Sequence, residues 1–192
     1  MDFKRHLNLE GKHAFLSASK YSWLRYSDSK LAETYKNHIA TAKGTALHQY
    51  ACDAIRLHRW QPEEQETVSM YINDALRYSM DPEVVLFYSE FCYGTCDAIG
   101  FEDGYLRIHD LKTGVRPAGM DQLKIYAALF CLEYDVIPGD IGIELRIYQN
   151  SDILKLEPTN DETTHIIDRI VTADKILRQL RNEEPEWMSK FM

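Results

Sequence analysis

The chain has 192 residues, of which 45% are hydrophobic and 27% are charged, and its formal net charge is −8. This composition excludes a disordered protein, and the length predicts a single domain over residues 1–192. The negative charge argues against a protein that binds nucleic acid over its whole surface, but not against a nuclease, in which metal ions supply positive charge beside the phosphate. Because no apolar run could span a bilayer and the first residues lack the apolar core of a signal peptide, we expect a cytoplasmic protein with no membrane partner.

The N-terminal part of the chain, about residues 1–80, is predicted to be helical. Ser17 is a suitable N-cap for a first short helix, and Pro62 suits the first turn of the last one, with acidic residues close behind it. Two further helices are expected between these, and a break at about residues 39–43 is expected to separate them from each other. The four predicted helices cover about residues 17–26, 30–37, 45–57 and 62–78.

The spacing of the apolar residues changes after Asp81-Pro82, and a sheet core is predicted over about residues 84–157. Runs of β-branched and aromatic residues predict strands, and Asp103-Gly104 is a typical two-residue hairpin turn. A C-terminal helix is expected over about residues 160–181, with Asn160 or Asp161 as its cap. The predicted strands are residues 84–91, 94–101, 105–112, 141–148 and 153–156, with a helix over residues 121–134. This order predicts an α/β or α+β fold.

Two aspartates and a lysine are predicted to meet at the end of this sheet. Asp97 lies in an otherwise apolar strand, and Asp110 and Lys112 are two residues apart in the next strand, so their side chains project from one face. Because an uncompensated carboxylate in such a strand is costly, the two acids suggest a shared cation. Taken alone, the spacing of Asp110 and Lys112 is more typical of a surface ion pair worth about 0–1 kcal/mol.

The same group of residues suits the hydrolysis of a phosphodiester bond. Mg²⁺ and Mn²⁺ take oxygen ligands, and the main-chain carbonyl of Leu111 is a third candidate beside the two carboxylates. One or two such ions can activate a water molecule and stabilise negative charge on the phosphoryl group. Lys112 is suited to orient or help deprotonate the attacking water, or to stabilise the developing charge.

Four motifs, taken in order, resemble those of the PD-(D/E)xK nuclease superfamily. Asp97 and the triplet from Asp110 to Lys112 resemble the motif that names the superfamily. The segment QLKIY at residues 122–126 is similar to the QxxxY helix of the branch that contains RecB-type nuclease domains and CRISPR-associated, RecB-like exonucleases, and GTALH at residues 44–48 resembles the first-motif helix of that branch. The resemblance covers about residues 17–148, and the short chain with SAS at residues 17–19 resembles phage-encoded members.

The resemblance implies a fold and a role for each matched residue. The fold is a restriction-endonuclease-like core, with a central mixed sheet of about four to five strands flanked by helices. Gln122 and Tyr126, at i and i+4 on one helix face, are implied to position DNA or brace the site, although Tyr126 is equally consistent with a core residue. The implied ligands of Mg²⁺ or Mn²⁺ are His48, Asp97, Asp110 and the Leu111 carbonyl, and the implied catalytic residues are Asp97, Asp110 and Lys112.

Two further residues near the motifs need a separate interpretation. Glu90 precedes the Asp97 strand in an otherwise apolar run, and we consider it a candidate for contact with the metal ligands rather than with the metal. His109 neighbours Asp110, but the alternation of side chains in a strand sends it to the opposite face, so it receives no role.

The cysteines and the absence of one motif set limits on cofactors. No two of Cys52, Cys92, Cys96 and Cys131 form a CxxC pair, and reduced, mostly buried thiols are expected. Several relatives hold an iron–sulfur cluster with a C-terminal set of cysteines, but no cysteine follows Cys131, so no cluster is expected. No GxxxxGK[ST] loop is present, so this chain is not expected to drive unwinding by ATP hydrolysis.

Together these features predict a divalent-metal-dependent DNA exonuclease that acts on DNA ends in phage-type recombination, repair or genome processing. The expected partners are DNA ends or single strands, a recombination or replication protein, and further copies of the chain, in the cytoplasm of a bacterium or a phage-infected host. Two alternatives remain open. One is a structure-selective or nicking endonuclease on the same core, and the other is a non-catalytic nucleic-acid-binding or assembly module that keeps the fold.

Overall fold

The structure is a computed structural model that describes residues 4–63 and 65–183, and it has an α/β fold with an N-terminal helical region. The α-helices are α1 (Asp28–Arg56), α2 (Thr67–Arg77), α3 (Asp121–Glu133) and α4 (Asn160–Glu183). The strands are β1 (Asp81–Ser89), β2 (Cys92–Glu102), β3 (Tyr105–Leu111), β4 (Gly142–Gln149) and β5 (Asp152–Leu156). Short 3-10 helices cover Leu7–Leu9, Ala18–Arg25 and Pro138–Asp140.

The five strands form one mixed sheet in the order β1-β2-β3-β4-β5. The strands β1, β2 and β3 form an antiparallel meander, β4 runs parallel to β3, and β5 returns antiparallel to β4. A parallel neighbour needs a crossover connection, and α3 lies within the connection from β3 to β4. The predicted α/β class, with a mixed sheet of four to five strands flanked by helices, is confirmed.

Helices cover both faces of the sheet. On one face, side chains of α3 and α4 such as Leu123 and Ile170 pack with Ile108 and Leu145 of the sheet. On the other face, α2 and the last turns of α1 pack against a second group of sheet residues that includes Leu111. None of the helices in the described part of the chain is both long and apolar enough to cross a membrane.

The chain divides into two compact units, Met1–Thr45 and Ala46–Met192. Among the described residues, every buried hydrophobic side chain lies at Ala51 or later, so the hydrophobic core belongs to the second unit. In the first unit, the ring of Phe15 packs against Tyr35 and His38. That the chain is a single domain stays a prediction.

Two predictions about the N-terminal helices are wrong. No break occurs at residues 39–43, and α1 continues from Asp28 to Arg56, because one internal glycine costs a helix only about 1 kcal/mol. The next helix begins at Thr67 rather than at Pro62. The backbone of Gln61 is instead held by the side chain of Asn73, which accepts its N–H at 2.8 Å and donates to its carbonyl at 3.1 Å.

Three element ends also differ from the prediction. Thr159, rather than Asn160 or Asp161, caps α4 through a capping box with Glu162, in which each side chain accepts the other residue's backbone N–H. Ser17 precedes a 3-10 helix without a side-chain capping bond. β1 begins at Asp81 instead of 84, because proline is tolerated in an edge strand and Pro82 pairs with Ala98.

Candidate functional site

The Asp97 side chain lies where the pairing of β2 and β3 ends. The last pair of this ladder is Ala98 with His109, and the carboxylate of Asp97 takes the next position, where its Oδ2 accepts the backbone N–H of Leu111 at 2.9 Å. The same oxygen lies 3.3 Å from Nδ1 of His48 on α1. Asp97 therefore joins β2, β3 and α1 at one point.

The alternation of side chains along β2 changes at Asp97. Cys96 and Ile99, three residues apart, both belong to the core on the α3 side, whereas Ala98 belongs to the core on the α2 side. On β1, Glu83 lies between the partners of Cys96 and Ala98 and has a positive φ of 56°. In a regular strand the side chains would alternate without a break at Asp97. The break in alternation therefore lies in the segment of β2 that carries the Asp97 carboxylate.

The side chains of Asp110 and Lys112 form an ion pair at the end of β3. The Lys112 Nζ lies 3.0 Å from Oδ1 of Asp110 and 2.9 Å from Oδ2, and it is directed for a hydrogen bond to Oδ1 only. Asp110 is 2% exposed, and its Oδ2 is buried without a hydrogen-bond donor. Burial, followed by the nearby negative charge of Asp97, raises the pKa of the Asp110 carboxyl.

A chain of hydrogen bonds connects this ion pair to α3. Lys112 Nζ donates to Oε1 of Gln122 at 3.0 Å, and Nε2 of Gln122 donates to the hydroxyl of Tyr126 at 3.1 Å. The Tyr126 hydroxyl donates in turn to the main-chain carbonyl of Thr95 at 2.6 Å. Gln122 and Tyr126 thus hold Lys112 in place through polar contacts, and the hydroxyl of Tyr126 belongs to this chain while its ring packs on the core.

Gly94 leaves the space that the Tyr126 ring occupies. A Cβ atom at residue 94 would lie 2.8 Å from Cε1 of Tyr126, which is closer than real Cβ contacts come. No role was predicted for Gly94 or for the carbonyl of Thr95. A glycine inside a strand was the available signal, because such a glycine often marks a close approach by another group.

His48 faces the two acids from α1. Its contact with the Asp97 carboxylate, with a smaller contribution from Asp110, raises the pKa of the imidazole. The predicted residues therefore belong to two sets of contacts that meet at the end of β3. His48 contacts Asp97, which binds the backbone of Leu111, and the residue before Leu111 starts the series Asp110, Lys112, Gln122 and Tyr126. The backbone of Leu111 lies within this group, since its N–H is the donor to Asp97.

The structure places Glu90 and His109 away from this group. Glu90 lies in the turn between β1 and β2, where it is half exposed and forms an ion pair with Arg181 of α4. At about 3.3 Å per residue, β2 separates this turn from Asp97 by about 17 Å, so Glu90 does not support the ligands. His109 is fully buried on the opposite face, with Nδ1 3.3 Å from the Tyr148 hydroxyl.

The donor atoms suit a hard divalent cation. In residues 4–63 and 65–183 no group of three or more His, Cys, Asp and Glu side chains has the arrangement of a metal site. Asp97 contacts His48 and the backbone of Leu111, while both oxygens of Asp110 lie within 3.0 Å of the Lys112 ammonium group. The two carboxylates and the main-chain carbonyl are oxygen donors of the kind that Mg²⁺ or Mn²⁺ accepts, and one imidazole lies beside them.

Comparison with known proteins adds no constraint, since no family model, curated protein or solved structure matches this chain.

Proposed function

We propose that the protein is a divalent-metal-dependent deoxyribonuclease of the PD-(D/E)xK type, and that it acts as an exonuclease on DNA ends. The observation that carries the proposal is the grouping of Asp97, Asp110 and Lys112 at the end of two paired strands, with His48 beside them. The two acids lie in otherwise apolar strands, and Asp110 is 2% exposed. An ion pair between Asp110 and Lys112 alone requires neither the second acid nor the imidazole.

Each residue of the site has a separate task in this proposal. Asp97, Asp110, the Leu111 carbonyl and His48 would hold Mg²⁺ or Mn²⁺, which supplies positive charge for the phosphate and a more acidic bound water. Lys112 extends its ammonium group from the Asp110 carboxylate, where it can orient the attacking water or donate to the developing negative charge. Gln122 fixes the ammonium group, and Tyr126 fixes Gln122.

The order of the secondary structure supports this proposal. The acids come from the second and third strands of an antiparallel meander, and the following helix, α3, contributes the QxxxY residues before the chain returns as a parallel strand. We propose a cytoplasmic role in phage-type recombination, repair or genome processing, with DNA as substrate and with a recombination or replication protein, or further copies of the chain, as partners. No iron–sulfur cluster is part of the proposed site.

The test is cleavage of linear and covalently closed circular DNA with Mg²⁺ or Mn²⁺ and with EDTA. We expect the wild type to degrade linear DNA only with metal, and we expect Asp110→Asn and Lys112→Ala each to lose at least about a hundredfold in rate, which is typical for a residue that acts on developing charge. Glu102→Gln, an exposed acid at the far end of β2, is the control and should cleave like the wild type.

The same assay separates the alternatives. Degradation of closed circles would favour a structure-selective or nicking endonuclease on the same core. DNA binding without metal-dependent hydrolysis would favour a non-catalytic binding or assembly module. Equal cleavage by the wild type and both site variants would contradict the catalytic assignment.

A further inference from the structure

The hairpin of β1 and β2 extends beyond the candidate site and has one exposed face. The ladder between β2 and β3 ends at Ala98, but β2 continues to pair with β1 as far as Cys92. One face of this extension, including Leu86 and Cys96, packs in the core on the α3 side. The hairpin is therefore held by its inner face, while side chains on its outer face, such as Val85, are exposed.

Two aromatic rings are paired on the outer face. Phe87 and Tyr93 are directly opposite each other in the ladder, and their rings are stacked with centroids 6.2 Å apart and an angle of 30° between the planes. The exposed fraction is 49% for Phe87 and 63% for Tyr93. Beside them, Val85 and Thr95 form the next pair and are also exposed. This pair, Phe87 and Tyr93, is called here the aromatic platform, and it is apolar and exposed to solvent.

The platform lies on the same strand as the Asp97 carboxylate. Tyr93 and Thr95 project from the side of β2 opposite Cys96, and Asp97 follows two residues after Thr95, at the position where the alternation changes. Tyr93 precedes Asp97 by four residues, a distance of about 13 Å at 3.3 Å per residue. Stacked nucleotides rise about 3.4 Å each along a strand, so about four nucleotides would reach from the platform to the carboxylates.

Two other roles, stabilisation of the sheet and addition of a strand from another protein, explain the exposed aromatic pair less well. A cross-strand aromatic pair contributes about 0.2–1 kcal/mol to a sheet, but this contribution does not require the rings to be exposed beside a cluster of acids. Addition of a strand from another protein at the β1 edge is disfavoured at this point, because the backbone N–H of Phe87 already donates to Oε2 of Glu133 at 2.8 Å. The face of the hairpin, and not its edge, is available.

We propose that Phe87 and Tyr93 stack with unpaired bases of a DNA strand and so direct its backbone to the site at Asp97 and Asp110. This inference rests on the proposed function and narrows its substrate class to DNA with a single-stranded end of about four nucleotides or more. Stacking on aromatic rings is tolerant of sequence, since every base has a π-face. The platform therefore selects unpaired DNA over blunt duplex without selecting particular bases.

The test measures binding separately from cleavage. Fluorescence anisotropy of labelled single-stranded and blunt duplex oligonucleotides is measured in the Asp110→Asn background with Ca²⁺. We expect Phe87→Thr/Tyr93→Thr to weaken single-strand binding by at least about tenfold, as the loss of base–aromatic stacking does, and to change duplex binding less than about threefold. Tyr93→Trp should keep the affinity, and its fluorescence should be quenched when the single strand binds.

The control is Trp60→Ala, which removes another exposed ring beyond the end of α1, a helix end that lies about 12 Å along the axis from His48. It should bind like the Asp110→Asn parent. Unchanged single-strand binding in the double threonine variant would overturn the inference, as would an equal loss for duplex, or a wild-type oligomer that dissociates in that variant. Because cleavage by the wild type is measured apart from these titrations, failure of the platform and failure of the nuclease proposal give different results.

Discussion

The position of the Lys112 ammonium group depends on two polar side chains of α3. Its three donors are shared between the Asp110 carboxylate and the amide oxygen of Gln122, and the bonds continue through Tyr126 to a main-chain carbonyl of β2. A main-chain atom in a paired strand is a fixed point. The ammonium group is thus held from the sheet on one side and from α3 on the other.

Gly94→Ala is expected to disturb this arrangement through Tyr126. The added Cβ would lie 2.8 Å from Cε1 of the ring, so the ring must move and its bonds to Thr95 and Gln122 must lengthen. A misplacement of about 1 Å at a catalytic group costs about a hundredfold in rate. We therefore expect the rate of metal-dependent cleavage to fall by about ten- to a hundredfold, measured at saturating DNA.

Two comparisons test whether the effect passes through Tyr126. Gly119→Ala is the matched control, because a Cβ at residue 119 has no neighbour within 4 Å, and it should keep the wild-type rate. In a Tyr126→Leu background, Gly94→Ala should add little to the loss, since residues in contact are not additive. Full additivity of the two substitutions would show that Gly94 acts independently of the ring.

Spacing along one element was sufficient to predict part of the site. Asp110 and Lys112 share a face because a strand has a period of two, and Gln122 and Tyr126 share a face because a helix brings i and i+4 together. The role of Gly94 could not be predicted in this way, because the atom that needs the space comes from α3. The prediction that Glu90 lies close to the metal ligands is not supported by its position. A run of apolar residues does not show where a strand ends, and β1 ends at Ser89.

At the scale of single elements, the start of α4 combines local and tertiary contacts. Thr159 and Glu162 form the capping box, and Lys124 of α3 donates to the Glu162 carboxylate at 2.9 Å. Hydrogen bonds from the Thr159 backbone, followed by those from Lys124, lower the pKa of Glu162 from 4.5 to about 2. The Glu162 carboxylate thus caps the start of α4 and also connects α4 to α3.

This lowered pKa predicts a loss of stability in acid. The ionised carboxylate is favoured in the folded state, so its contribution is complete above about pH 4.5 and is lost as the pH falls towards about 2. Glu162→Gln keeps a capping side chain but does not titrate. We expect the difference in free energy of unfolding between wild type and variant, measured with urea, to be larger at pH 7 than at pH 3.

Asp161→Asn serves as the control for loss of a negative charge from the same helical turn. Its difference from the wild type should change less between pH 7 and pH 3, because the carboxylate of Asp161 takes no part in the hydrogen bonds of the capping box. A difference for Glu162→Gln that stays constant over this range would contradict the assignment of the lowered pKa to the folded state.

The element types were predictable from the sequence, but several of their ends were not. The period of apolar residues changes from helical to strand-like after Asp81, which correctly separates the N-terminal helices from the sheet. The start of α2 depends on Asn73, whose side chain holds the backbone of Gln61 from twelve residues away. The prediction of the α4 cap was wrong because Asn160 and Asp161 are both favourable cap residues. Thr159, just before them, has Glu162 three positions later and forms the capping box instead.

At the scale of the whole sheet, a buried polar cluster fastens α2 to the face opposite α3. Oδ2 of Asp74 accepts a bond from Nη1 of Arg146 at 2.9 Å and from the Tyr148 hydroxyl at 2.7 Å. Arg146 also donates to the hydroxyl of Tyr78 at 3.1 Å. The Asp74 carboxylate of α2 thus pairs with the charge of Arg146 and accepts a hydrogen bond from the hydroxyl of Tyr148, both on β4.

Removing this carboxylate is expected to destabilise the fold strongly. Asp74→Ala removes one of the two carboxylates that pair with Arg146, the other being Glu144 at 2.9 Å, and removing a partner of a buried charge costs up to about 3–5 kcal/mol. The double variant Asp74→Leu/Arg146→Met should recover part of this stability, because it removes both charges of one pair while Lys155 still pairs with Glu144. Free energies of unfolding from urea titrations measure both effects.

An exposed ion pair provides the comparison for this cluster. Glu157→Ala breaks a contact with Lys155 in which both side chains are about half exposed, and it should cost less than about 1 kcal/mol. If Asp74→Ala cost no more than Glu157→Ala, the cluster would not stabilise the packing of α2 on the sheet.

The class of fold could be predicted from the order of the elements, because a helix between two strands implies a crossover and a layered arrangement. The buried cluster at Asp74 could not be predicted, since Asp74 lies more than 70 residues before Arg146 and Tyr148 in the sequence.

The sequence distances within the site have a consequence for how the molecule folds. Asp110, Lys112, Gln122 and Tyr126 lie within one strand and the helix that follows, so they can meet early through short loop closures. His48 must be brought from far upstream by the docking of α1. A nascent or partly folded chain would therefore carry the acidic half of the candidate site without its imidazole, so that the candidate site is completed only when the fold is complete.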